Sequence, residues 1–204
     1  TRPELFPEQI VRSTSRALVA SAPALLVLAG LGLRAYQLGA ESLSEDELNK
    51  VRAVAEYRER GLRPANGDHR FLMRALLTVS ISAADAWNAS AAARQNPSRQ
   101  ISTEAAARLP GALLGALTSV LIFLLAAELF GFEVGLIAAA LWALDPTAVG
   151  FNRIAKQDSF LVFLLLLAKV FWLRGQRVAE EGTRRPEPFY WAAAAAFGAM
   201  MASK

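Results

Sequence analysis

Hydrophobic positions along the chain fall into long blocks separated by short, strongly charged segments. Four blocks are nearly uninterrupted, at residues 17–38, 105–130, 134–149 and 159–173, and a fifth rises from 189 to the end at 204. Each is long enough, or nearly so, to cross a hydrocarbon core of about 30 Å at about 1.5 Å per residue. One such block fits the core helix of a soluble protein, but a tandem series does not. The expected fold is therefore all-α and integral to a membrane, a multi-span helical bundle. The chain opens without Met and stops at Lys204 inside an apolar block, so it is expected to be a fragment of a longer protein.

The polar segments set the expected topology. Residues 1–16 carry Arg2, Arg12 and Arg16 and are placed in the cytoplasm. Block 17–38 is too long for a signal-peptide core of roughly 7–15 residues and is read as an uncleaved first span. Arg34, near its far end, is expected to snorkel to the interface beside Tyr36. Segment 39–104 is an outer loop with two juxtamembrane helices. In the first, Ser44-Glu45-Asp46-Glu47 has the spacing of a capping box, with Leu48, Val51, Val54, Ala55 and Tyr57 on one face. The second, 71–93, is apolar but carries Arg74 and Asp85. Each charge at mid-span would cost about 2.5–3.5 kcal/mol, so this helix is expected to lie on or shallowly in the membrane. Arg174, Arg177, Arg184 and Arg185 then fall on the cytoplasmic side in a loop at 174–188, as the positive-inside rule requires. The second outer loop, 150–158, shares a face with the first. Gly111, Gly115 and Gly135 are read as small residues for close helix packing.

Composition narrows the chemistry. The chain has no Cys and one His, which excludes disulfides, thiolate metal sites and the usual histidine clusters. Its net charge of +4 follows from arginine-bearing loops, and no nucleic-acid partner is expected. Alanine and arginine usage without cysteine points to a bacterial inner (cytoplasmic) membrane.

The candidate reactive residues each have a plain structural reading as well. Asp46 and Glu47 are adjacent carboxylates at a helix start, where acidic groups are favoured by the dipole. Asp158, near Arg153 and Lys156, fits an N-cap. His69 fits a loop histidine, and Arg108 an interfacial anchor. Their order along the chain says more. A span is followed by an Asp-Glu loop, a loop histidine, and Arg108-Leu109-Pro110-Gly111-Ala112-Leu113-Leu114-Gly115 opening a span. Gly135-Leu136-Ile137-Ala138-Ala139-Ala140 continues to Asp145-Pro146, and Asn152-Arg153-Ile154-Ala155-Lys156-Gln157-Asp158 opens another span. In this arrangement, from about residue 17 to the end, the sequence resembles the protein O-mannosyltransferase and aminoarabinose-transferase-like glycosyltransferases of the GT-C superfamily.

The resemblance implies transfer of a sugar from a polyprenyl-phosphate donor to a protein Ser/Thr, lipid or glycan acceptor, on the extracytoplasmic face. It implies Asp46 as the catalytic carboxylate with Glu47 beside it. His69, Arg108, Arg153, Asp158 and Lys204 are implied in binding the donor and acceptor, although Arg70 stands where the family usually has proline after the histidine. A carboxylate within reach can take the acceptor's proton, and arginines suit the departing phosphate. No cofactor is required on this reading, with a divalent cation as the alternative; Ser159 stands where cation-binding relatives carry another acidic residue. The competing expectation is a transporter or non-catalytic membrane scaffold.

Overall fold

The computed structural model describes residues 16–61, 71–182 and 184–203, and among these the chain is all-helical. The helices are α1 (Arg16–Ala35), α2 (Glu45–Arg60), α3 (Phe71–Asn88), the short α4 (Ala91–Arg94), α5 (Thr103–Phe130), α6 (Phe132–Leu144), α7 (Pro146–Asn152), α8 (Asp158–Glu181) and α9 (Glu187–Met201), with a 3-10 turn at Pro97–Arg99. His69 and Lys204 lie outside the described residues.

Helix α5, about 42 Å long at its 28 residues, is the axis of the molecule. Helices α1, α3, α6 and α8 pack against it, and α9 folds back along α8. Near the α8–α9 turn, the Tyr190 ring fills the space that a Cβ on Gly175 would need, and the Trp172 and Tyr190 rings meet at a tilt of 52° with centroids 5.4 Å apart. At the same end, Arg177 pairs with Glu128 across α8 and α5 at 2.6 Å.

By length and composition, the unit Pro97–Phe130 is long and apolar enough to cross a membrane, and α6 with α7 makes a second if that bent pair counts as one span. The apolar part of α1, Ser21–Ala35, is shorter. The expected third span, 134–149, is not one straight helix. Asp145 precedes Pro146, whose ring disfavours a helical conformation in the residue before it. Its backbone is extended (ψ 121°), and its Oδ2 accepts the Ala148 N–H at 2.6 Å as the N-cap of α7. The axis turns by 59° there. Asp158 departs from expectation as well: it lies in the first turn of α8, and the cap position falls to Gln157.

Helix α3 explains its own polar residues. It packs against α2 and the start of α5, sharing a core of Val54, Met73, Leu77, Ile81, Ala106, Ala107 and Phe160. Arg58 of α2 donates to Asp85 at 2.7 Å and to Ser82 at 2.8 Å, and Arg74 stacks 5.0 Å from the Tyr57 centroid. Pro110 has no N–H, so the Ala106 carbonyl four residues earlier loses its helical donor. The Ser80 hydroxyl replaces it at 2.6 Å.

Arg34 does not snorkel. It is 0% exposed and donates to Gly30, Trp142 and Ala143 carbonyls and to Asn152 Oδ1, at 2.9–3.1 Å. The last carbonyls of α6 lack intrahelical donors and carry the negative end of the helix dipole, so a buried guanidinium satisfies them and ties α1 to α6 and α7. Asn152 in turn donates to Ser159 Oγ at 2.9 Å and lies against α5 where Gly115 leaves room.

A Cβ at Gly115 would collide with the Asn152 side chain, whereas one at Gly198 meets nothing within 4 Å. Gly115→Ala is therefore expected to lower stability by about 1–3 kcal/mol and Gly198→Ala to be neutral or mildly stabilising, as read by thermal unfolding in detergent.

A two-loop cleft as the candidate active site

The site is built from the start of α2. Ser44 caps it and Glu47 reaches back, completing the reciprocal capping box that the sequence spacing indicates. That geometry turns the Glu47 carboxylate inward, where it is 1% exposed. Burying a carboxylate is costly unless its lone pairs are filled. Here Oε1 accepts from Arg108 Nε and from the Ala155 N–H, both at 2.9 Å. Oε2 accepts from Arg108 Nη2 at 3.0 Å, and from the Ser44 N–H and Oγ at 3.0 and 3.1 Å. Burial pushes this carboxyl up, but the hydrogen bonds from Arg108, Ala155 and Ser44, with the arginine's charge, outweigh it and hold it at about 2 against the usual 4.5.

Arg108 is equally saturated. Beyond its bidentate grip on Glu47, Nη1 donates to the carbonyls of Leu38 and Glu41 at 3.1 and 2.8 Å, and Nη2 to that of Ser42 at 3.0 Å. All five N–H groups of the guanidinium have protein acceptors. A donor phosphate would have to displace one, so the expected phosphate-binding role does not fit Arg108 in this conformation. It binds the loop after α1 instead.

Asp46 faces the other way. Its side chain is 56% exposed, and Oδ2 pairs with Lys50 Nζ at 2.6 Å. Lys50 also donates to the Ala155 carbonyl at 2.8 Å. Ala155 is thus held at both its N–H and its C=O by side chains of α2, and the second polar loop is docked onto the first. Around this junction opens a cleft of about 590 Å³ whose walls include Glu41, Ser44, Glu47, Arg108, Arg153, Ile154 and Lys156. Among the described residues Arg153 makes only long side-chain contacts, at 3.3 and 3.4 Å, to the Leu33 and Gln37 carbonyls. These are weak by hydrogen-bond criteria and leave it available to an anion. Asp46 is next to the cleft rather than in its wall. Asp158 is exposed, and its side chain makes no hydrogen bond or ion pair to the described residues. No group of three or more His, Cys, Asp or Glu gathers as metal ligands among the described residues.

The structure therefore brings together Asp46, Glu47, Arg108 and Arg153, places Asp158 three residues beyond the docked Ala155, and adds Lys50, Lys156 and the Ala155 backbone. The Asp46-to-Lys50 spacing of four was the available signal for Lys50. Nothing local marks Ala155.

The chain thus carries a charged two-loop cleft near one end of its central apolar helix. The chain belongs to the dolichyl-phosphate-mannose-protein mannosyltransferase family, which it matches over residues 99–204, and that family comprises membrane-embedded glycosyltransferases of the GT-C type. The matched stretch holds Arg108, Arg153 and Asp158, and Asp46 and Glu47 precede it. No curated protein and no solved structure shows a significant match to the chain.

Because the carboxyl of Glu47 is lowered in the fold, its contribution to stability is full above pH 4.5 and is lost as the pH falls toward 2. Glu47→Gln is expected to flatten that acid limb. Arg108→Ala, which strands a buried carboxylate, is expected to cost about 3–5 kcal/mol; unfolding measured across pH checks both.

Proposed function

We propose that this protein transfers a sugar from a polyprenyl-phosphate donor to an acceptor hydroxyl, of a protein Ser/Thr, a lipid or a glycan, at the two-loop cleft. The observation that carries this reading is the clamp on Ala155. It holds Asp46 beside a cleft lined by Arg153 and Lys156, residues more than 100 positions away in sequence, in a chain of glycosyltransferase ancestry.

In the proposed step Asp46 takes the acceptor proton while the acceptor oxygen attacks the anomeric carbon. The bond from that carbon to the phosphate oxygen breaks with inversion, and the polyprenyl phosphate leaves. Arg153, with Lys156, meets the charge that develops on the leaving phosphate. Glu47 and Arg108, already paired, keep the geometry. Asp158 is assigned to orienting the acceptor or donor sugar, and His69 and Lys204 to the donor. The step as written needs no metal ion.

Membrane embedding is supported by exposure. The most apolar window of the Pro97–Phe130 unit is only 28% buried, unlike a soluble core helix, and α1, α5 and α6 present Leu25, Leu28, Leu117, Leu124, Ile137 and Leu141 outward. We place 17–38, 105–130, 134–149, 159–173 and the segment from 189 in the bilayer of a bacterial inner membrane. On this reading α2 and α3 lie at the outer surface and the arginines of 174–188 in the cytoplasm.

In membranes with matched expression and dolichyl-phosphate mannose as donor, Asp46→Asn is expected to lower transfer by about 100-fold or more. Arg153→Ala is expected to raise the donor KM by about tenfold. Unchanged transfer in Asp46→Asn would move the base to Asp158, and no transfer by the wild type with any polyprenyl-phosphate sugar would favour a scaffold or transporter.

A further inference from the structure

The Lys50 side chain is 3% exposed, while that of its partner Asp46 is 56% exposed. An ordinary i,i+4 pair on a helix surface joins two mobile side chains and contributes little. This pair is different because its cationic end is fixed. Nζ is held by the Ala155 carbonyl at 2.8 Å and so presents its 2.6 Å bond to Asp46 Oδ2 from a set position. A buried ammonium without acceptors is strongly disfavoured, and Lys50 has two, Asp46 Oδ2 and the Ala155 carbonyl. The N–H of the same Ala155 goes to Glu47 Oε1 at 2.9 Å. The peptide groups flanking one residue of the second loop are therefore gripped by two side chains of α2, one turn apart.

We propose that Lys50 is the positioning residue for Asp46. It fixes Oδ2, leaves Oδ1 for the acceptor hydroxyl, and joins that carboxylate to the loop that carries Arg153 and Lys156. Base and phosphate-facing cations then keep one spacing. This rests on the assignment of Asp46 as the base. A lysine that merely ties a loop would make the same contacts, but its loss would not act on the chemical step.

The test uses Lys50→Met and Lys50→Arg in the full chain in membranes, with dolichyl-phosphate mannose and a Ser/Thr-containing peptide. The expected result is a fall in kcat of about 100-fold for Lys50→Met, with the donor KM nearly unchanged and substantial recovery in Lys50→Arg. A folded Lys50→Met protein with wild-type kcat would overturn the proposal, as would a loss that Lys50→Arg does not relieve. If the wild type itself transfers nothing, the functional reading fails separately, and amide hydrogen exchange over residues 153–158 decides the clamp. Faster exchange in Lys50→Met that Lys50→Arg returns to the wild-type rate upholds it, and unchanged exchange overturns it.

Discussion

The ion pair between Glu47 and Arg108 is the constraint on which the arrangement of the loops depends. Both groups are buried, and a buried pair is tolerated only when every remaining donor and acceptor is matched. The matching reaches in three directions: to the carbonyls of Leu38, Glu41 and Ser42 after α1, to the cap at Ser44, and to the Ala155 N–H. Three stretches of chain that share no secondary structure are held together by one salt bridge. Its electrostatics also fix the charge state, since the carboxyl stays ionised down to about pH 2.

A second buried knot, Arg34 with Asn152, sets the height of the second loop. Between them the two arginines give a physical meaning to Arg108-Leu109-Pro110-Gly111-Ala112-Leu113-Leu114-Gly115. Arg108 binds the first loop, and Pro110 frees the Ala106 carbonyl for Ser80 of α3. Gly111 and Gly115 make space for Asn152. The motif docks both loops. Asp46, Arg153 and Lys156, which lie outside it, are the groups to which the proposed step assigns chemistry.

Features written in local chemistry were legible in the sequence. The capping box at Ser44 and Glu47 follows from a spacing of three and the α5 block from its composition, whereas 134–149 reads as one span although Pro146 bends it. Features that depend on distant partners were not. Nothing near Arg34 shows that α6 ends beside it with unpaired carbonyls, so a surface role was the natural reading. Arg108 looked available for phosphate because its acceptors are backbone carbonyls, which every residue type possesses. The small residues of α5 were read as helix packing alone, since only the fold shows Asn152 seated against them. Lys50 shows the boundary between the two cases: its spacing from Asp46 is local, but its fixed position comes from Ala155.

The central claim is that the two loops form one site on the outer face of a membrane, and the absence of Cys from the chain allows a direct measurement. Single cysteines at Asp46, Asp158 and Arg184 would be labelled with a membrane-impermeant maleimide in intact cells, then again after permeabilisation. The account predicts that Asp46→Cys and Asp158→Cys label in intact cells and that Arg184→Cys labels only after permeabilisation. Labelling of the first two positions from opposite sides, or of Arg184→Cys together with them, would contradict it.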